Sequence, residues 1–364
     1  MTAAEIIRMR LQNQQLLKSE YSKPEDVVRW MTAVQAQDYA GAKWALGCRM
    51  QLSKDSDVDA ALDEGRILRT HVLRPTWHFV LPDDIRWMIE LTEPRISAFS
   101  AKYMRDLGLD KKVFTKTNKI IVHALEKEGY LTKQELGDIL KASRVDTADL
   151  RLTYILFRAE LDCLVCSGPR KGKQMTYSLL DERAPAARKL KKEEALYELA
   201  IRYFRSRGPA TVKDFAWWSG LSAGDARAAG ELVNKELNSI DFLGETLFFS
   251  PESYLPARLG NISHLFSAWD EYTVAYKDRS LVVDPAFEKE SGNGIFNSNI
   301  AIKGKVIGSW RREIKKESVH INLNYFDTPS HTVVSSVQKV AAIYARFIDK
   351  EPTVKIVKSK SVRK

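Results

Sequence analysis

Apolar residues return every three or four positions over residues 120–127 and again over 195–206, the spacing of an amphipathic helix. Each predicted helix stops at a glycine, Gly129 or Gly208, where a chain leaving a helix commonly takes positive φ. Thr132 and Thr211 then stand at N-cap positions, with Glu135 and Asp214 three residues further on, the spacing of a capping box. The pairs Gly129/Gly208, Thr132/Thr211 and Glu135/Asp214 are each 79 residues apart, so one plan occurs twice. A second helix follows, and a third is expected over 150–160 in the first copy and 223–236 in the second. Each copy closes with two short apolar strands around a glycine-containing turn, 163–167 with 175–179 and 240–243 with 246–250. Three helices and a terminal hairpin make a winged helix, a helix-turn-helix variant.

The N-terminal third reads as a more diverged copy. Ser22 and Glu25 have capping-box spacing ahead of a helix over 27–34, and further helices are expected over 40–51 and 57–65. Strands over 67–74 and 76–81, broken at Pro75, supply the hairpin. Beyond Pro256 the texture changes. Segments 266–275, 280–283, 299–302, 305–311 and 318–324 read as strands between Gly, Asn and Asp turns, and an amphipathic helix follows over 333–348. The expected fold class is α+β: tandem winged-helix (helix-turn-helix) repeats with a C-terminal β-rich domain. Its expected units are three winged helices (1–112, 113–185 and 190–256), a β-rich domain with a terminal helix (262–350) and a loose basic tail (351–364).

Length and charge extend this picture. At 364 residues the chain exceeds what one hydrophobic core usually organises. Its formal charge of +10 favours a polyanionic partner, because neutralised phosphates release condensed counterions. Beside helix-turn-helix units, that partner is expected to be double-stranded DNA. No run of 18 apolar residues predicts a membrane span, and the first ten residues lack the apolar stretch of a signal peptide. A cytoplasmic, nucleoid-associated monomer is the expectation. Cys163 and Cys166 have C-x-x-C spacing, but no second pair accompanies them and their neighbours are apolar, so they read as core residues. No metal and no cofactor are expected, and neither a P-loop nor a nucleophilic triad is evident.

The stretch most open to chemistry is Gln35-Ala36-Gln37-Asp38. On a helix, residues two apart point to nearly opposite sides, so Gln35 and Gln37 converge only where the chain is extended or turning. A junction before the next helix allows that, with Asp38 placed to cap the helix. Spacing alone makes the glutamines ordinary polar residues at a helix end. Four longer stretches change their standing: VQAQDYAGAKWA (34–45), RTHVLRPTWHFV (69–80), RGPATVKDFAWWSGL (207–221) and AWDEYTVAYKDR (268–279). With these, nearly the whole chain resembles the bacterial winged-helix DNA glycosylases of the AlkZ/YcaQ-like group. That group's landmarks are a Gln–apolar–Gln (or Gln–apolar–Asp) catalytic motif, tandem winged helices and a C-terminal β-rich domain. The sequence departs from the group at Pro75, where a glycine is expected, and at Trp77, which is larger than the usual aliphatic residue.

The resemblance implies that Gln35 and Gln37 are catalytic, with Asp38 and Trp77 as accessory candidates. The implied reaction is hydrolysis of the N-glycosidic bond of cationic N-alkylated purines by a monofunctional enzyme, with alkyl interstrand crosslinks as further substrates. Glutamine does not ionise at neutral pH. A purine alkylated at N7 or N3 is already cationic and departs neutral, so amide dipoles that place water and stabilise a positive sugar suffice. Expected DNA contacts are Arg69, Arg74 and His78 of the first unit, and Arg170, Lys171 and Lys173 of the second unit's hairpin. His71, Asp270 and Glu271 read as structural, and Trp217 and Trp218 as core. Without the resemblance, the same features describe a non-catalytic winged-helix regulator or architectural protein.

Overall fold

The computed structural model describes residues 1–256, 260 and 262–357. Helix α1 (Ala3–Asn13) precedes α2 (Pro24–Met31), β1 (Val34–Gln35), α3 (Tyr39–Gly47), α4 (Asp55–Asp63), β2 (Leu68–Val72) and β3 (Thr76–Val80). These three strands form a sheet in the order β1-β3-β2. The long helix α5 (Pro82–Asp106) leads to α6 (Lys111–Glu128), β4 (Tyr130–Thr132), α7 (Lys133–Ala142), α8 (Arg151–Leu161), β5 (Val165–Ser167) and β6 (Thr176–Leu179), with strand order β4-β6-β5. A short α9 (Leu180–Arg183) precedes α10 (Lys192–Arg207), α11 (Val212–Ser219), α12 (Ala223–Val233), β7 (Asn238–Phe242) and β8 (Glu245–Phe249). In this last group the first strand is reduced to a bridge between Ala210 and Phe248. One order of elements therefore occurs three times, and each time the first strand lies against the last.

The C-terminal part contains β9 (Ser263–Phe266), α13 (Glu271–Val274), β10 (Asn299–Ile302), β11 (Lys305–Ile314), β12 (Ser318–Tyr325), α14 (His331–Phe347) and β13 (Glu351–Ile356). The sheet order is β13-β12-β11-β10-β9, parallel only between β12 and β13. Val27, Trp44 and Phe79 share a hydrophobic core with Leu265, Trp310, Tyr344 and Phe347, so the first group packs directly on this sheet and α14. A second core joins Leu73, Val80 and Trp87 to Tyr203, Phe215 and Trp218 of the third group. Each fully buried large apolar side chain contributes about 1.5–3 kcal/mol to holding such faces together.

Local signals explain much of this. The capping boxes at Thr132/Glu135 and Thr211/Asp214 are formed. Elsewhere the expectations need correction. The helix predicted over 27–34 ends at Met31, because Thr32 adopts φ +65° and the chain then runs extended. It opens on Pro24, with Lys23 rather than Ser22 at the N-cap. Gly208 has φ −60°, not positive φ; a Cβ there would lie 2.5 Å from the Phe204 carbonyl oxygen and 2.8 Å from that of Phe248. Close backbone approach is the reason for that glycine. The strand predicted over 266–275 stops at Phe266; Asp270 caps the turn of helix α13 by accepting from the Tyr272 amide at 2.8 Å. Residues 280–283 form turns, with the Val282 and Val283 amides both donating to the Arg279 carbonyl. The first six residues of the expected basic tail are edge strand β13, and residues 358–364 lie outside the described residues. Cys163 and Cys166 sit in the apolar core, where burial pushes both thiols up to about 12.

Candidate active site

Gln35 ends β1 opposite His78 of β3. The next residue continues the pairing: the Ala36 amide donates to the Trp77 carbonyl at 2.7 Å. On the other side, the Ala36 carbonyl accepts from Arg69 Nε at 3.1 Å and Nη2 at 2.9 Å. The chain is therefore extended through Ala36, and side chains two apart on extended backbone leave the same face. The condition that the spacing imposed on Gln35 and Gln37 is met.

Gln35 is buried and its side-chain carbonyl accepts from Arg74 Nη2 at 2.5 Å. Gln37 is exposed, and its carbonyl accepts from the Trp77 amide at 3.3 Å. A guanidinium and a peptide N–H only donate, so both amide oxygens face the β2–β3 hairpin. Outside these contacts each amide has a second oxygen lone pair and an NH₂ group to offer. The protein thus fixes the orientation of two neutral dipoles, one sheltered and one open to solvent.

The shelter comes from far along the chain. The Gln35 backbone N–H donates to Glu271 Oε1 at 2.9 Å. The other oxygen of this buried carboxylate accepts from Arg207 at 2.6 and 3.0 Å and from the Trp218 indole at 3.0 Å. Arg207 also donates to the carbonyls of Met31 and Ala33 at 2.8 and 2.9 Å, which pins the backbone leading into the motif. Beside it, Arg49 and Asp270 form a second fully buried pair at 2.8 Å. Reading Asp270 and Glu271 as scaffold therefore agrees with their contacts. That Glu271 touches the Gln35 backbone was not legible, because 236 residues separate them.

The other candidates divide. Arg69 stacks on Trp77, its guanidinium carbon 4.1 Å from the ring centroid, and His71 packs on the same ring at 3.9 Å while its Nδ1 pairs with Glu160 of α8. Burial pulls the Arg69 and Arg74 guanidiniums below their ordinary value, and Glu271 partly offsets this for Arg74. His78, expected to touch DNA, is fully buried, and desolvation lowers its pKa from 6.5 to about 3. It is a neutral packing residue here. Asp38 holds the N-cap position of α3, but its side chain makes no capping bond; it pairs with Arg312 at 3.3 Å. Arg170 is bound to Asp63 and Asp59 of α4 at 2.8 and 3.0 Å, which ties the second hairpin to the first group instead of leaving that charge free. Lys171 pairs with Glu135 at 2.8 Å, whereas Lys173 is exposed. Lys43, the lysine nearest the motif, is held by Asp55 and Asp59.

Residues 28–347 match the family model described as DNA glycosylase AlkZ-like. The chain belongs to this family and, with it, to the DNA repair glycosylases. Its fold is similar to that of the Streptomyces sahachiroi DNA glycosylase AlkZ: the TM-score is 0.79 at 21% identity, over 98% of this chain and 100% of the other. A search of curated protein sequences finds no significant match. Among the described residues, no helix is long and apolar enough to cross a membrane.

Proposed function

We propose that this glycosylase hydrolyses the N-glycosidic bond of purines made cationic by N-alkylation, and that Gln35 and Gln37 carry the reaction. The observation that supports this best is the fixed amide pair on extended chain, with Gln37 open to solvent and Gln35 locked by Arg74 and Glu271. Neither amide ionises, so neither protonates a leaving base; a cationic purine needs no such help. In our reading Gln37 orients the attacking water, and Gln35 presents a preorganised dipole toward the sugar as positive charge grows. Dipoles of this kind are worth a few kcal/mol, roughly 10²–10³ in rate. Unmodified purines, which leave as poor anions, are spared for the same reason. Lys43 is engaged by two carboxylates, which favours a monofunctional hydrolase over a lyase acting through a Schiff base.

We read the three repeated groups as winged helices on the expected boundaries, with DNA across the face that bears the motif. Trp77, wedged between Arg69 and His71, is in this reading a wall of the lesion site. Pro75 is exposed at the adjoining turn. Alkyl interstrand crosslinks are included as substrates, since a site open at Gln37 admits a base approached from a groove.

The test is abasic-site formation on duplexes carrying 7-methylguanine or a nitrogen-mustard crosslink. Gln35→Ala and Gln37→Ala are each expected to lower the single-turnover rate about 10²-fold or more at saturating protein. A wild type inert on both substrates, or a fully active double variant, would overturn this reading.

A further inference from the structure

The molecule pairs most of its partly or fully buried arginines with carboxylates: Arg49 with Asp270, Arg207 with Glu271, Arg158 with Glu93, Arg170 with Asp63, and Arg202 with Asp84. Arg10, Arg69, Arg183, Arg74 and Arg279 are exceptions; the first three give their guanidiniums to backbone carbonyls at separate places, whereas Arg74 and Arg279 meet at one ring. Among the described residues neither of these two makes an ion pair, although Arg74 is largely and Arg279 about half withdrawn from solvent. Arg74 has a buried Nε without a hydrogen-bond partner, and its bond to a carboxamide, Gln35, does not neutralise the charge. Arg279 donates to the Tyr276 carbonyl at 2.6 Å, also a neutral acceptor. Glu288 and Asp278 are near enough to act on Arg279 through space, without contact. Removing a cation from water without a counter-charge is costly, so two such cations side by side want an anion.

They are side by side around Trp217. The guanidinium carbons of Arg74 and Arg279 lie 5.8 and 5.6 Å from the centroid of that ring. The ring is itself held in place, its indole N–H donating to the Val274 carbonyl at 3.0 Å, and it is 37% exposed. Trp217 is therefore not a core residue like its neighbour Trp218. It is a partly open platform that carries two cations without an ion-pair contact, one of which already touches Gln35.

We propose that Arg74 and Arg279, gathered on Trp217, are the site that grips the DNA backbone phosphates beside Gln35, with Arg279 a DNA-contacting residue and Arg74 the link between phosphate and active site. A guanidinium has five N–H donors in a rigid fork, so Arg74 holds a phosphate oxygen without releasing the Gln35 carbonyl. Phosphate binding then fixes the sugar at one distance from the amide dipole. The proposal takes its location from the assignment of Gln35 as catalytic, but the phosphate contact is testable apart from catalysis.

Binding to an undamaged duplex, followed by fluorescence anisotropy across a salt series, isolates that contact. Arg279→Ala is expected to raise Kd about ten-fold and to reduce the salt slope by about one phosphate, whereas Arg279→Lys keeps the slope. An Arg279→Ala protein with wild-type Kd and slope would sink the proposal. A second measurement leaves the protein intact: a 7-methylguanine duplex in which single linkages around the lesion are replaced by neutral methylphosphonate. Wild type is expected to slow at one or two positions only, with the loss in KM more than kcat, and Arg279→Ala to be insensitive at those same positions. Equal sensitivity of both proteins at every position would also overturn it. If wild type releases no 7-methylguanine yet Arg279→Ala lowers the salt slope, the substrate assignment fails and the phosphate site stands.

Discussion

His78 illustrates how burial reassigns a residue. A histidine four residues from Arg74, in a stretch that also holds Arg69 and His71, invites a DNA role, but His78 is packed inward beside Phe79 and Val80 on β3, where it is 0% exposed. Its folded pKa near 3 against an ordinary 6.5 means that the unfolded chain takes up a proton first as pH falls. Stability from keeping His78 neutral is complete above about 6.5 and is lost toward pH 3, at about 1.4 kcal/mol per pH unit. Urea denaturation from pH 7 to pH 5 should therefore show wild type losing stability faster than His78→Asn. Parallel curves for the two proteins would remove this account. At the same scale, Gln35 and Gln37 are alike in sequence, yet one is buried and clamped and the other exposed.

At the scale of elements, the capping boxes of α7 and α11 were legible because a cap is local: Thr132 and Thr211 need only a residue three positions away. The start of α13 was not. Apolar residues from Phe266 to Ala275 suit a strand, and only the packing of Tyr272 and Tyr276 into the interior makes a helical turn the better use of them. The hairpin β5–β6 shows what basic residues on such an element can do. Arg170 spends its guanidinium on α4, so Arg170→Ala should lower stability by about 1 kcal/mol while leaving the salt slope of DNA binding near its wild-type value. Lys173→Ala should do the reverse, with wild-type melting and a slope reduced by about one. A salt slope that falls for Arg170→Ala would show that the ion pair opens on DNA.

Across the whole molecule, two buried ion pairs join the C-terminal part to the first and third repeated groups: Arg49–Asp270 and Arg207–Glu271. Removing one partner of such a pair strands the other charge, at about 3–5 kcal/mol. Glu271→Gln should accordingly lower the free energy of unfolding by that order. Because the same side chain holds the Gln35 backbone, it should also slow abasic-site formation in protein that remains folded. A stable but slow variant and an unstable but fast one are distinguishable by thermal melting beside single-turnover rates.

The sequence by itself determined the repeated helix and hairpin plan, the caps, the basic charge and the presence of a Gln-Ala-Gln stretch at a helix end, since each depends on periodicity or on neighbours a few positions apart. Tertiary structure alone decided that Thr32 ends the helix, that β3 draws Ala36 into extended pairing, and that Arg74 and Glu271 converge on Gln35. Those contacts span 39 and 236 residues, and the preference of a carboxylate or an amide for a partner is the same wherever that partner lies along the chain. Only the packing of the first group on the C-terminal sheet and on α10–α12 selects which distant residue meets it. The two unpaired arginines around Trp217 belong to the same class, because an ion pair that is absent can be recognised only after the fold has placed every carboxylate.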